Sequence, residues 1–246
     1  MSLCGLLPLV WEQPQRNTED SAEVSEKNRN CANSKKGRFA VADAEVIRLK
    51  NSVNERDHSN GSENAPVTLL EYGNFECRDC GRIFPVIKEV QKVLGHNLRF
   101  VFRHFPTVKT HPRAMRAAEA AEAAAAQGEF WLMHDELFSR QEFLEEEHLV
   151  RYARRIGLDL GRFNSDLNSN TFLARIEHEY QSALFDEHIT GTPTLNVNGV
   201  RYTGAHDRSS MLTAIKEADI SGRIVLPEAG SRLRQVLDSF KRHAGS

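Results

Sequence analysis

The chain contains 246 residues, of which 40% are hydrophobic and 27% are charged, as is ordinary for a globular protein with a sizeable core. The formal net charge of -2 excludes the strongly basic surface that nucleic-acid binding requires. With only four cysteines, the chain is not a small domain held together by several disulfides. No apolar run reaches the length of about 18 residues that a transmembrane helix needs, so no membrane span is predicted.

The first 50 residues are predicted to form a disordered or loosely packed extension. Most of them are polar and lack a periodic apolar pattern, so they cannot bury enough surface to offset the entropy of the chain. Leu3–Trp11 is short, is interrupted by Pro8 and lacks a basic leader, which argues against an export signal. The prediction is a cytoplasmic protein; a periplasmic or exported one would follow if the start is assigned wrongly. The polar segment Arg56–Asn64 is predicted to lead through a turn into the first strand.

A strand, a helix and a second strand are predicted next. The apolar run Val67–Tyr72 is typical of a strand, and apolar residues at helical spacing then continue to Leu94, where Gly95 suits a helix C-terminus. Pro85 lies inside this helix and should kink it. The alternation over Leu98–Phe105 predicts the second strand, so a parallel βαβ unit is the natural topology.

Helical patterns then predict an all-helical insertion over about residues 110–188. The predicted helices are Ala114–Ala126, Phe130–Phe138, Glu145–Ile156, Leu160–Leu167 and Thr171–Leu184. The apolar residues of the second of these helices are predicted to form the core of the insertion, and they are Phe130, Trp131, Met133 and Phe138.

Strand signals return near the end of the chain. Thr194–Val197 and Val200–Tyr202 flank Asn198-Gly199, which is the strongest short-range signal of a β-hairpin. A helix over Asp207–Ala218 follows, and another is predicted from Pro227.

The predicted site is the pair Cys77-x-x-Cys80, placed where the first strand ends and the helix begins. A thiol-disulfide enzyme needs an exposed thiolate, and the N–H groups and dipole of a helix N-terminus stabilise one at Cys77. Cys80 lies one turn further along, about 5–6 Å away between Cβ atoms, which is within reach of a disulfide. The spacing therefore predicts that Cys77 attacks a disulfide and that Cys80 resolves the mixed disulfide.

Charged residues and a distant proline complete this candidate site. Arg78 favours a thiolate at Cys77, whereas Glu76 and Asp79 oppose it, and the sequence leaves the balance open. Pro193, in Gly191-Thr192-Pro193-Thr194, suits the first residue of a strand. A cis bond there would expose neighbouring backbone groups to a bound chain.

Taken together, these features resemble the DsbA-like members of the thioredoxin superfamily. The match runs from about Arg56 to Ala218 and looks especially like the branch found alone or fused to sodium/proton antiporters. The shared features are the first strand, Phe75-Glu76-Cys77-x-x-Cys80-Gly81, Pro85, the helical insertion, Gly191-Thr192-Pro193-Thr194 and Asn196-Val197-Asn198-Gly199.

The resemblance implies an α/β thioredoxin fold with an inserted all-helical domain. It implies Cys77 as nucleophile, Cys80 as resolving thiol, Pro193 in the cis form beside them, and Thr192 as a source of backbone groups for a bound peptide. Phe75, Glu76, Arg78 and Asp79 are expected to shape the site. No cofactor is expected beyond the reversible Cys77–Cys80 disulfide. The expected partners are protein or small-thiol substrates and an unidentified redox partner. The predicted domains are an extension over 1–50, the DsbA-like domain over 51–220 and a helical extension over 221–246.

The two residues between the cysteines depart from the family. Many relatives carry Pro-Tyr or Pro-His there, and this chain carries Arg78-Asp79. The histidine helps to make DsbA a strong oxidant because it stabilises the thiolate. Its absence, together with the negative charge of Asp79, predicts a less oxidising couple.

Three other functions fit parts of the pattern. Zinc binding would need a second pair of ligands, which Cys4 and Cys31 do not form. His104 and His111 could be ligands, but a polar residue at the end of a strand and a histidine before a helix are the commoner explanations. A glutathione-dependent transferase or isomerase of the kappa-like branch usually has serine at the first cysteine and lacks the second, so Cys80 argues against it. A redox-responsive regulatory or binding module with weak turnover is compatible with the unusual residues between the cysteines.

Overall fold

The computed structural model describes residues 47–226 of the chain. The predicted N-terminal extension as far as residue 46, which includes Cys4 and Cys31, lies outside the described residues, as does the helix predicted from Pro227.

Five strands form one sheet in the order β1-β3-β2-β4-β5 within the described part of the chain. The strands are β1 (His58–Asn60), β2 (Val67–Gly73), β3 (Leu98–His104), β4 (Thr194–Val197) and β5 (Val200–Arg201). The helices are α1 (Arg78–Leu94), α2 (Ala114–Ala125), α3 (Phe130–Ser139), α4 (Glu146–Arg155), α5 (Leu160–Asn168), α6 (Leu173–Phe185) and α7 (Arg208–Ala218). The helices α2 to α6 lie between β3 and β4, where the sequence predicts a helical insertion. Over residues 47–226, no helix is long and apolar enough to cross a membrane.

The predicted parallel βαβ unit is confirmed. β2 and β3 pair in parallel, with Val67 opposite Leu98 at one end of the ladder. Helix α1 connects them and ends at Leu94; the next residue, Gly95, has a φ of 51°, in the left-handed region that glycine tolerates. Pro85 lies inside α1, and the helix continues beyond it to Leu94.

The strand β1 was not predicted. His58–Asn60 pairs with β3 in antiparallel orientation, although the sequence indicates only a polar segment leading to a turn. Three residues without apolar alternation carry no local strand signal. The pairing depends instead on distant contacts, because the His58 ring stacks on Phe130 with centroids 3.5 Å apart.

Three of the four apolar residues predicted as the core of the insertion are buried, and the core that they form continues into the sheet. Phe130, Met133 and Phe138 of α3 belong to the same buried cluster as Phe100 and Phe102 of the sheet. The cause is that α3 packs its apolar face directly on the sheet and on α1, so a single core extends through both layers.

The opposite face of the sheet contains a buried ion pair. The Arg103 guanidinium donates to both carboxylate oxygens of Asp57, at 2.6 and 2.9 Å, and to the hydroxyl of Tyr72 at 2.9 Å. It also donates to the backbone carbonyls of Asn51 and Ser52, so the segment before β1 is tied to β3. The charged groups therefore have the partners that burial requires.

The predicted β4–β5 hairpin is confirmed, and it positions the proline loop. Asn198 and Gly199 both have positive φ values, 47° and 76°, as a tight two-residue hairpin turn requires. β4 also pairs with β2 in antiparallel orientation, with Thr194 opposite Tyr72. Pro193, the residue just before β4, therefore lies near the end of β2, where the cysteines follow.

Candidate active site

The two cysteines lie where β2 ends and α1 begins, as predicted. Cys77 is the N-cap residue of α1 and Cys80 lies in its first turn. Both are free thiols in this structure. Cys80 is fully buried, and only 7% of Cys77 is exposed, which is less than the sequence argument requires of an attacking thiol. The cause is the proline loop, since Cys77 Sγ lies 3.3 Å from the carbonyl oxygen of Thr192.

The surroundings of Cys77 favour its thiolate. A hydrogen bond with the Cys80 side chain is the main cause that lowers the pKa of Cys77 to about 5, against the opposing effect of burial. A hydrogen bond with Thr192 and the backbone N–H groups of Cys80 and Asp79 lower this pKa further. These two N–H groups belong to the first turn of α1, so they provide the stabilisation that was predicted for a helix N-terminus.

The reactivity of Cys77 should follow this lowered pKa. The rate of alkylation of the reduced protein by iodoacetamide is expected to rise with pH and to level off, with a midpoint at about pH 5, because only the thiolate reacts. Timed labelling followed by mass spectrometry of the cysteine peptides measures this rate. Cys80 should remain unlabelled over the same range, because burial raises its pKa well above the ordinary value. A midpoint near about 8.5, the value of an ordinary thiol, would contradict this expectation.

A buried carboxyl group, Glu71, lies beside the dithiol and was not predicted. Burial is the main cause that raises its pKa to about 8; the charge of Cys77 acts in the same direction, and a hydrogen bond with Cys80 opposes both. One carboxyl oxygen of Glu71 has no hydrogen-bond partner. The available sequence signal was a glutamate inside an otherwise apolar strand, Val67-Thr68-Leu69-Leu70-Glu71-Tyr72. A carboxyl group that titrates near neutral pH next to a buried thiol can accept its proton.

The proline loop completes the geometry. The Thr192–Pro193 peptide bond is cis. The hydroxyl of Thr194 donates to the carbonyl oxygen of Gly191 at 2.8 Å, which closes the loop just before β4. The loop therefore reaches Cys77 from the neighbouring strand, and Pro193 lies beside the dithiol as the resemblance implies.

A family model described as thioredoxin matches residues 53–217. The chain belongs to the thioredoxin family. Among solved structures, oxidised BdbD from Bacillus subtilis superposes with a TM-score of 0.63 at 21% identity, covering 70% of this chain and 97% of that one. Wolbachia pipientis alpha-DsbA1 superposes with a TM-score of 0.62 at 19% identity, covering 69% and 94%. The predicted fold, a thioredoxin fold with a helical insertion of the DsbA type, is thus confirmed.

Relatives of higher identity are the thioredoxin-like regions of antiporters. The Na+/H+ antiporter NhaA 1 of Mycolicibacterium gilvum is 44% identical over 164 residues, which are 66% of this chain and 26% of the antiporter. NhaA 3 of Salinispora tropica is 43% identical over 176 residues, which are 72% and 26% of the two chains. The chain therefore matches about a quarter of the length of these curated relatives, and the predicted resemblance to this branch is confirmed.

The charged residues of the thioredoxin-family motif have partners that change the predicted electrostatics. The Glu76 carboxylate accepts hydrogen bonds from the backbone N–H and Nε of Arg113, at 2.7 and 3.0 Å. Asp79 pairs with Arg82 at 2.8 Å on the exposed side of the helix. Of the three charged residues predicted to tune Cys77, only Asp79 is among the main causes of its lowered pKa, and it acts through its backbone N–H rather than its carboxylate. Arg78 is exposed.

Phe75 supports the site from the buried core and does not line its surface. Its side chain is buried, and its ring lies 5.2 Å from Phe102 and 4.9 Å from Phe138 between centroids. Phe75 therefore anchors the turn before Cys77 to the core that the sheet shares with the insertion.

A further group of side chains, away from the dithiol, has the chemistry of metal ligands. Among the described residues, the ligand atoms of His58, His104 and Glu122 lie within 4.8 Å of one another. Both imidazole Nε2 atoms contact the same oxygen of Glu122, at 2.7 and 3.0 Å, and Arg175 Nε lies 3.2 Å from the other oxygen. To ligate a cation, His58 and His104 would have to give up their contacts with the Glu122 carboxylate. We interpret the group as a polar network that joins β1 and β3 to helices α2 and α6.

Proposed function

We propose that the protein is a thiol-disulfide oxidoreductase in which Cys77 attacks and Cys80 resolves. One observation carries the proposal: two cysteines of the same helical turn have pKa values that are shifted in opposite directions. A thiolate and a protonated partner thiol are the two reactants that a redox dithiol needs. The family and the fold support the same reaction class.

In the proposed reaction, the Cys77 thiolate attacks one sulfur of a substrate disulfide. A mixed disulfide forms, and the other substrate sulfur leaves as a thiolate. Cys80 then transfers its proton to Glu71 and attacks Cys77 Sγ, which releases the second substrate sulfur. The substrate disulfide is reduced by two electrons and the Cys77–Cys80 disulfide forms; the reverse sequence oxidises a substrate dithiol.

Protein or small-thiol substrates are proposed to approach along the proline loop. The backbone of Thr192 lies against Cys77, so a peptide that pairs with this backbone would place its own sulfur near Cys77 Sγ. A redox partner is required to restore the starting state of the dithiol.

We also propose a cytoplasmic location, on the sequence pattern alone. Antiport is not proposed, because the chain matches only 26% of these antiporters.

A redox-responsive binding module is the second candidate. The small exposed fraction of Cys77, 7%, favours it, because rapid turnover requires substrates to reach the sulfur.

Equilibration with mixtures of reduced and oxidised glutathione tests the proposal. The expected result is one cooperative two-electron transition between free thiols and a Cys77–Cys80 disulfide, followed by thiol trapping and mass spectrometry. We expect the reduction potential to be lower, that is less oxidising, than that of DsbA measured alongside. Catalysed refolding of a protein with scrambled disulfides then separates the two candidates, because the binding module would form the disulfide without catalysing refolding. Failure to form the disulfide at any glutathione ratio would exclude both.

A further inference from the structure

The N-terminus of α1 lacks the usual side-chain cap. Helices commonly begin at Ser, Thr, Asp or Asn, whose side-chain oxygen accepts from the free N–H groups of the first turn. Here the N-cap residue is Cys77, whose sulfur forms no regular cap hydrogen bond, although the N–H groups of Asp79 and Cys80 lie close enough to lower its pKa. The first turn of α1 contains the N–H groups that stabilise the thiolate, so contacts that fix the geometry of this turn affect the reactivity of Cys77.

Gln141, in the loop between α3 and α4, makes the contacts that fix this turn. Its side-chain Nε2 donates to the backbone carbonyl of Phe75 at 2.8 Å and to that of Cys77 at 2.9 Å. The Cys77 carbonyl also accepts the first helical hydrogen bond, from the N–H of Gly81 at 3.1 Å. One amide group of the insertion therefore holds the turn on both sides of Glu76.

Gly81 provides a second, independent sign of this contact. A Cβ atom built at Gly81 would lie 1.8 Å from Oε1 of Gln141, far inside van der Waals contact. Gly81 has no positive φ, so its backbone conformation does not require glycine. The space next to Gly81 is instead occupied by the Gln141 amide, so the absence of a side chain at Gly81 permits this packing.

We propose that Gln141 is a positioning residue for Cys77, through which the helical insertion fixes the conformation of the Cys77–Cys80 turn. The inference rests on the proposed function for its meaning in catalysis, but its effect on the reactivity of Cys77 is measurable without turnover. Gln141 touches neither sulfur in the described contacts, and it acts through the backbone of Phe75 and Cys77.

The substitution Gln141→Met, which keeps the length of the side chain and removes its donor, tests this. The N–H groups of Asp79 and Cys80 should then be held less well, so the pKa of Cys77 should rise. A rise of one unit lowers the thiolate fraction at about pH 4 by about tenfold and moves the midpoint of the alkylation profile up by one pH unit. Circular dichroism at the same pH shows that both proteins are folded during the measurement.

Gln127→Met is a matched control. Gln127 is another glutamine next to the insertion helices, and its side chain makes two hydrogen bonds with the backbone of Asp159. Nε2 donates to the Asp159 carbonyl at 3.3 Å, and Oε1 accepts from the Asp159 N–H at 2.9 Å. This variant should lose a similar amount of thermal stability without any change in the pH profile of Cys77 alkylation. If both variants shift the profile equally, or if neither shifts it, the proposal is wrong.

Gly81→Ala provides the reciprocal test. The added methyl group should displace the Gln141 amide and shift the alkylation profile in the same direction. Combined with Gln141→Met, it should cause no further shift, because the contact is already absent. Additive shifts would overturn the proposal. If the wild-type protein shows no exchange with glutathione but the profile shifts as expected, the proposed function fails and the positioning role remains.

Discussion

The Cys80→Ser variant is expected to accumulate mixed disulfides on Cys77. In the proposed reaction, Cys80 supplies the sulfur that displaces the substrate, and a hydroxyl group is a far weaker nucleophile towards a disulfide. Catalysed exchange should fall to the background rate, whereas the first attack by Cys77 should remain. Incubation with oxidised glutathione or with a protein disulfide, followed by acid quenching and non-reducing electrophoresis, measures the trapped species. The same variant, exposed to a cell extract, would identify the substrates.

Cys77→Ser is the matched variant, because it keeps Cys80 as the lone cysteine of the site. It should form no adduct under the same conditions, since Cys80 is fully buried and burial raises its pKa well above the ordinary value. Adducts on Cys80 in this variant, or none on Cys77 in the Cys80→Ser variant, would contradict the assigned order of attack. The alkylation rate of Cys80→Ser should also change, because the Cys80 side chain is the main cause of the lowered pKa of Cys77.

The dithiol and its helix were predictable because their signals are local. A Cys-x-x-Cys pair, an apolar strand before it and apolar residues at helical spacing after it lie within about 30 consecutive residues. The Asn198-Gly199 hairpin is equally local. The position of Pro193 beside Cys77 is a long-range feature, and it followed from the resemblance to a family rather than from any residue pattern.

The features that were missed depend on contacts across the fold. β1 forms because His58 contacts Phe130 and Glu122 in the insertion. No sequence pattern within three residues predicts these contacts. Gln141 contacts the Cys77 turn from a loop about 60 residues away in sequence. The two segments meet only because α3 packs on the sheet. Polar residues that act on a site through space carry no periodic signal.

The predicted influence of Arg78 and Asp79 also changes with the structure. A sequence argument counts formal charges, but Arg82 pairs with Asp79, and Arg113 pairs with Glu76. Hydrogen bonds within the Cys77–Cys80 turn then have the larger effect on the pKa of Cys77. Because a stabilised thiolate favours the reduced form of the dithiol, these hydrogen bonds act against the predicted loss of oxidising power. The glutathione experiment decides whether the couple is less oxidising.

Glu71→Gln is expected to slow exchange by about a hundredfold at neutral pH, because general base catalysis typically contributes about 10²–10⁴. In the wild-type protein, the rate of the Cys80-dependent step should increase as pH rises through the pKa of Glu71, which burial keeps raised but which should lie below the value of about 8 for the reduced protein, because Cys77 carries no charge in the mixed disulfide. Glutamine cannot accept a proton, so the variant should lose this dependence and resolve mixed disulfides slowly at every pH below the raised pKa of Cys80. Stopped-flow measurement of glutathione release from the mixed disulfide follows this step.

The same variant should have the opposite effect on stability. The pKa of Glu71 is raised from 4.5 to about 8 in the folded protein, so between these values the unfolded chain releases a proton that the native state retains. Glu71 therefore lowers stability as pH rises through this window, whereas Cys77, whose pKa is lowered to about 5, raises it. Glu71→Gln removes only the first contribution, so the variant should gain stability relative to the wild-type protein, on the order of 4 kcal/mol between both ends of the window. Urea unfolding of the reduced proteins below and above the window measures it.

Glu119→Gln separates the two effects of the Glu71 variant. Glu119 lies on α2, and burial raises its pKa as well, against the opposing charge of Arg116. Its replacement should shift stability in the same direction with pH, by less, and leave the release of glutathione unchanged. If Glu71→Gln alters stability but not the rate of resolution, Glu71 is a buried structural carboxyl and Cys80 must transfer its proton to another acceptor. If the rate falls as expected, the protein tolerates a destabilising buried acid because the reaction of Cys80 requires it.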